Sequence, residues 1–142
     1  MQSKEPVSIF DMIGPIMVGP SSSHTAGAVR LGLVARSVLG IPPQDALIEL
    51  HGSFAQTGRG HGTDKAIVAG LLGFGTADDR IRDSFQLASA FGLHFVIREA
   101  DLGEDVHPNS ARITLSSGET SAQIVGASIG GGLVEITEIQ GY

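Results

Sequence analysis

The sequence predicts an α+β fold: a mixed, mainly antiparallel sheet of about five strands against about three helices. Three observations carry this expectation. Apolar residues at helical spacing concentrate in the first two thirds of the 142 residues. Alternating apolar and polar residues mark stretches typical of half-buried strands, and most of these come late in the chain. Glycine and proline clusters punctuate the stretches, and no internal repeat interrupts them.

Residues 6–13, VSIFDMIG, form a short apolar stretch, helical or irregular. GPIMVGPSSSHT then reads as a loop, because glycine, proline and serine dominate it. From His24 the pattern turns helical: Leu31, Val34 and Val38 follow i, i+3, i+7, and Val29 and Leu33 follow i, i+4. Ser22 or Ser23 supplies the expected N-cap, Gly40 the stop, and Pro42-Pro43 ends the element. Residues 46–53, ALIELHGS, alternate like a strand, and FAQTGRGHG reads as a second glycine loop. Thr63 or its neighbour caps a helix in TDKAIVAGLLGF. Asp78 opens another, DDRIRDSFQLASAFG, with Ile81, Phe85 and Ala88 on one face. LHFVIRE at 93–99 is a strand, with His94 expected as a satisfied core residue. ARITLSS and ETSAQIVGA flank a Gly118 turn as a hairpin, and the Ser128–Gly132 turn leads into a last strand, LVEITEI.

Composition bounds the function. Apolar residues make up 42% and charged residues 17%, an ordinary globular balance in a chain long enough to bury a core as one domain, residues 1–142. The net charge of −6 argues against wholesale binding to nucleic acid or an anionic membrane. No cysteine is present, so disulfides and thiolate ligands for zinc or an iron–sulfur cluster are excluded within this chain. MQSKEPVSIFDMIG lacks a signal-peptide apolar region, no apolar run has membrane-spanning length, and a cytoplasmic location is expected.

Four loops carry chemistry-bearing residues. Ser21, Ser22, Ser23, His24 and Thr25 stand at a helix start, where free N–H groups, the positive dipole end and hydroxyl donors suit a carboxylate or phosphate. The same residues also read as an over-supplied N-cap, and the two readings stand level. Arg59, Gly60 and His61 lie in GRGHGTD, which opens the next helix. Its glycines let backbone approach a ligand, Arg59 suits a carboxylate, and a neutral His61 suits a general base. A solvent-facing loop histidine is the equal alternative. In DVHPNS, Pro108 fixes the direction of His107, and Asn109 offers donor and acceptor together, although an ordinary Pro-Asn turn is the simpler account. Ser128 and Gly130, in SIGGG, belong either to an anion-binding nest or to a hairpin turn. His51 is a weaker candidate. No phosphate-loop, nucleophile-elbow or HExxH motif is present, and no pair among His24, His51, His61 and His107 has recognised metal-ligand spacing, so no metal site is expected.

Taken together, GPSSSHT at 19–25, HGSFAQTGRGHGTDKA at 51–66, HPNS at 107–110 and SIGGG at 128–132 resemble, in this order, the β chains of iron–sulfur-dependent L-serine dehydratases. They also resemble the N-terminal part of the fused single-chain forms. The likeness runs from about Ser8 to Tyr142. It implies conversion of L-serine to pyruvate and ammonia. It implies a 4Fe-4S cluster held by cysteines of a partner α chain, which agrees with the absence of cysteine here. It further implies a fold like the allosteric substrate-binding domain of some D-3-phosphoglycerate dehydrogenases. The family's β chains usually continue into an ACT domain, which has no counterpart in these residues. By the resemblance, His61 is the first candidate for a catalytic histidine and His107 the second, with base and acid unassigned between them. Ser22, Ser23, His24 and Thr25 then hold the substrate carboxylate, with Arg59 as a lesser candidate. The position of His51 is often Tyr in fused relatives, so no catalytic role is carried onto it. Expected partners are the α chain and L-serine, with a β–β homodimer as further self-association. Two rivals stand beside this reading: a non-catalytic module binding serine or a small anion as effector, and, more distantly, a stand-alone metal hydrolase.

Overall fold

The computed structural model describes residues 22–58 and 62–141. The expected element at 6–13 lies outside them. Helix α1 spans Ser22–Leu39. It buries Ala28, Val29, Leu31, Ala35 and Leu39, so Val29 and Leu31 of the expected stripe lie in the core, while Leu33, Val34 and Val38 are partly buried and pack against it. The predicted stripe is therefore centred off the true core face. Small residues, faint in an apolar pattern, turn out to be the ones that let the helix approach its neighbours. Ser22 and Ser23 both lie within the helix, in its first turn, and not at the N-cap position expected from the sequence. It stops at Gly40, whose positive φ of 85° and N–H donation to Arg36 O at 3.0 Å close the last turn.

Strand β1, Asp45–Leu50, is shorter than predicted. Gly52, at φ 57°, leaves the pleat and begins α2, Gly52–Gly58, where the sequence suggested a loop. Phe54 of α2 is fully buried, and this anchoring outweighs the weak helix propensity of a segment with two glycines. Helix α3, Thr63–Leu71, is capped by Gly62, the expected neighbour of Thr63. The single helix predicted from Asp78 is two elements: a 3₁₀ segment, Asp79–Asp83, then α4, Ser84–Phe91. Asp78 caps the first, accepting from the Arg80 backbone N–H at 2.8 Å and pairing with its guanidinium. None of Asp79–Asp83 is buried, so packing gives that stretch no reason to widen into an α-helix. Ile81 and Phe85 nonetheless pack on the core beside Ala88, as their spacing predicts.

Five strands form one sheet in the order β2-β1-β3-β4-β5, with β2 His94–Glu99, β3 Ser110–Ser117, β4 Thr120–Gly130 and β5 Leu133–Gly141. β1 and β2 are parallel; the other neighbours are antiparallel. The fold is thus α+β, as expected. Ala46, Ile48, Leu50, Ala111, Ile113, Leu115, Ala122 and Ile124 form a common core with α1 and α3. The alternate residues face the other way. There Glu49, with a side chain only 4% exposed, accepts from Arg112 Nε at 2.7 Å and Arg98 Nη2 at 3.0 Å. The Arg112 guanidinium leads in holding its carboxyl below the usual range, against the opposing effect of burial. His94 is exposed on the edge strand β2, not in the core as its apolar surroundings suggested. An edge strand with alternate residues in solvent accounts for this.

Helices α1 and α3 touch at two glycines. A Cβ on Gly32 would lie 2.3 Å from Ile67 O, and one on Gly70 would lie 2.2 Å from Val29 O. Backbone meets backbone there, and the contact admits no side chain.

Candidate functional site

The register brings the sequence-distant loops to one end of the sheet. Leu50 at the end of β1 pairs with Ala111 near the start of β3, and Ser110 pairs with Ala127. Gly130 then pairs with Leu133 across the last turn. His51–Gly52, His107–Asn109 and Ser128–Gly132 are therefore neighbours around one rim, although 81 positions separate His51 from Gly132. The first half of α1 covers the same rim. Gly27 lies so close to β4 that a Cβ there would be 2.2 Å from Ser128 Oγ, and the Arg30 guanidinium donates to Gly132 O.

Thr25 of α1 lies beside Gly62 and Lys65 at the start of α3, and Arg36 near the end of α1 donates to Leu71 O at the end of α3, so the two helices run in the same direction with their N-termini together. Thr25, Gly62, Lys65, Asp79, Ile81 and Arg82 line a cleft of about 400 Å³ between them. Two helix starts side by side concentrate positive dipole ends, and Lys65 and Arg82 add full charges against the single carboxylate of Asp79. Such a cleft favours an anion. Lys65 reaches over the Phe85 ring at 5.9 Å, and its carbonyl accepts from Ser84 Oγ at 2.8 Å, tying α3 to the start of α4.

Most of the candidate residues have a place in the described structure. Ser22, Ser23 and His24 form the first turn of α1, and Thr25 lines the cleft. Ser21, Arg59, Gly60 and His61 lie outside the described residues. His107 is exposed, and its Nδ1 accepts from the Asn109 N–H at 3.0 Å. The neutral ring then carries its proton on Nε2. Asn109 is half-buried, and its carbonyl accepts from Ser128 N–H at 2.9 Å, joining the HPNS and SIGGG loops. Ser128 is fully buried under α1, and among the described residues its hydroxyl has no hydrogen-bond partner. Gly130 is the exposed last residue of β4; Gly131 and Gly132 follow at φ 61° and 80°, the signs of a type I′ hairpin turn.

Two residues passed over in the sequence, Lys65 and Arg82, and one ranked as weaker, His51, stand out here. Lys65 belongs to the GHGTDKA segment, so its signal was present but unused. Arg82 comes from a segment with no motif, and only packing brings it to the cleft. His51 is held by its Nδ1, which accepts from Leu102 N–H at 3.0 Å, with the side chain 14% exposed. Among the described residues no group of three His, Cys, Asp or Glu side chains gathers as metal ligands, and no helix is long and apolar enough to cross a membrane.

A family model described as serine dehydratase beta chain matches residues 8–90. The chain is 52% identical over 135 residues to a probable L-serine dehydratase, beta chain, of Bacillus subtilis (strain 168), covering 95% of this chain and 61% of that protein. It is 49% identical over 136 residues to the L-serine dehydratase, beta chain, of Peptoniphilus asaccharolyticus, covering 94% and 61% respectively. To the L-serine dehydratase of Streptomyces coelicolor it is 40% identical over 87 residues, 53% of this chain and 19% of that protein. The chain thus spans about three fifths of the length of the two β-chain relatives.

Proposed function

The chain belongs to the serine dehydratase β-chain family, and on that premise we propose that it is the β subunit of an L-serine dehydratase, converting L-serine to pyruvate and ammonia with a partner α chain. The observation that carries this reading is the convergence of His51–Gly52, His107–Asn109 and Ser128–Gly132 at one rim, beside a cleft with two helix starts and an excess of cations. A small zwitterion with a carboxylate suits such a place. Residues 1–142 act as one domain in this reading, the enzyme works in the cytoplasm, and a β–β dimer is the expected self-association.

The residues of this chain do not fit a 4Fe-4S cluster, because the chain has no cysteine. The cluster is assigned to the α chain. Binding and proton transfer remain for the β subunit. The first turn of α1 and the cleft cations hold the substrate carboxylate, which fixes the α-carbon relative to the histidines. Removal of the weakly acidic α-proton needs a base near neutrality, and His61 and His107 are the candidates. The aminoacrylate released after loss of the β-hydroxyl tautomerises and hydrolyses without further help.

The test is serine-dependent pyruvate formation under anaerobic conditions with this chain, with the α chain, and with both. Activity confined to the mixture is expected, and His61→Ala is expected to abolish it while cluster content stays unchanged. Full activity of the α chain alone, merely modulated by this chain, would make the cleft an effector site instead. Wild-type turnover in His61→Ala would remove that histidine from the chemistry.

A further inference from the structure

The segment from Ala100 to Asn109 delivers His107 to the rim; Ala100 N–H donates to Leu50 O at 2.9 Å, but the residues after it have little to hold them. Their local bonds are Gly103 N–H to Asp101 Oδ1 at 2.9 Å and Val106 N–H to Gly103 O at 3.4 Å. Among the described residues, the one hydrogen bond tying residues 101–106 to the rest of the fold is Leu102 N–H to His51 Nδ1 at 3.0 Å. The second half is pinned by the same short stretch of chain. Gly52 sits against Pro108, where a Cβ would be 2.6 Å from the Pro108 carbonyl oxygen, and Phe54 N–H donates to that oxygen at 3.4 Å. The residues just beyond β1 thus grip both ends of the loop.

We propose that His51 is a positioning residue for His107: its imidazole latches the 100–109 loop through Leu102 and so fixes where the His107 ring stands at the rim. The argument rests on the dehydratase reading for its catalytic consequence, but the latch itself is a property of this chain. A neutral ring is required, because only an unprotonated Nδ1 accepts the Leu102 N–H. The rest of the ring is largely enclosed, with the side chain 14% exposed, so its orientation is set by packing as well as by this bond. His107 itself is exposed and is held locally by the Asn109 N–H on its Nδ1. Its ring is therefore only as well placed as the loop beneath it. A reacting histidine displaced by about 1 Å loses on the order of a hundredfold in rate.

Asparagine places a carbonyl oxygen near the position of Nδ1 and keeps the acceptor, while leucine keeps bulk and removes it. In the α–β complex, His51→Leu is expected to lower kcat roughly ten- to hundredfold with little change in KM, and His51→Asn to restore most of it. In a His107→Ala background, His51→Leu is expected to cost nothing further, because the two residues act as one unit. Hydrogen–deuterium exchange of the peptide covering 100–109 in the same complex reads the latch without activity: faster in the leucine variant, wild-type-like in the asparagine variant. Unchanged loop exchange in His51→Leu would overturn the proposal. So would a loss that adds in full to that of His107→Ala, or a His51→Asn enzyme as impaired as His51→Leu. Should the leucine variant not fold, His51→Asn decides alone, since loss of its loop protection contradicts the latch. A wild-type complex that makes no pyruvate from serine would defeat the dehydratase reading, and loop exchange would still decide the latch.

Discussion

Gly32→Ala is a test of how the cleft is built. The added Cβ would lie 2.3 Å from Ile67 O and 2.9 Å from both Gly70 Cα and Leu71 N. All three are backbone atoms of α3, so no side chain can swing away. Ordinary carbon–oxygen contact needs the two helices to part by roughly 1 Å, and such overpacking costs about 1–3 kcal/mol. Alanine in a helix returns about 0.5–1 kcal/mol relative to glycine. The net expectation is a loss of up to about 2.5 kcal/mol, a fall in Tm of a few degrees for a domain of this size. Gly75→Ala is the control, because a Cβ there meets nothing within 4 Å. Urea unfolding of both variants measures the difference. The separation also moves the start of α1 from that of α3, so serine turnover in the α–β complex should fall by more than the stability loss explains. A Gly32→Ala protein as stable as wild type, with unchanged turnover, would refute the claim that this crossing sets the cleft.

Three further outcomes follow from individual contacts. Glu49 has a folded pKa below its ordinary 4.5, so its pairing stabilises the fold fully above about pH 4.5 and is lost as pH falls through the lowered value. The Tm should hold steady near pH 6 and drop in acid, and Glu49→Gln should flatten that drop; an equally steep acid fall in the variant would remove Glu49 as its source. Gly52→Ala meets both a φ of 57° and the Pro108 carbonyl, whereas Gly118→Ala meets a φ of 61° in open space. The first should cost about 2 kcal/mol or more and the second about 1 kcal/mol, and equal losses in chemical denaturation would mean that the Pro108 contact is slack. Ser128→Ala removes a buried hydroxyl that has no partner among the described residues, so stability should stay level or rise by up to about 1 kcal/mol; a clear loss would reveal a hydrogen bond to that hydroxyl.

Much of the fold is legible in the chain. The hairpin around Gly118 follows from local glycine geometry, whereas the turn expected over Ser128–Gly132 narrows to Gly131-Gly132, because pairing with β5 carries β4 on to Gly130. The helix at Thr63–Leu71 and its glycine neighbour follow from periodicity and capping. What misled was burial from a distance. Phe54 makes a helix of a glycine-rich stretch because the core has room for its ring. His94 points to solvent because β2 is an edge, a fact about strand order and not about neighbours in sequence.

For the site, the sequence by itself determined the residue types and the family, because motifs act over a few positions. It also settled that no thiolate ligand resides here. Only the tertiary structure decided that α1 and α3 run parallel with adjacent starts, that Lys65 and Arg82 share their cleft, and that His51 reaches Leu102. Those facts depend on strand order and on a glycine-to-glycine helix crossing. Close packing sets both across gaps of tens of residues, where no local pattern in the chain can carry the information.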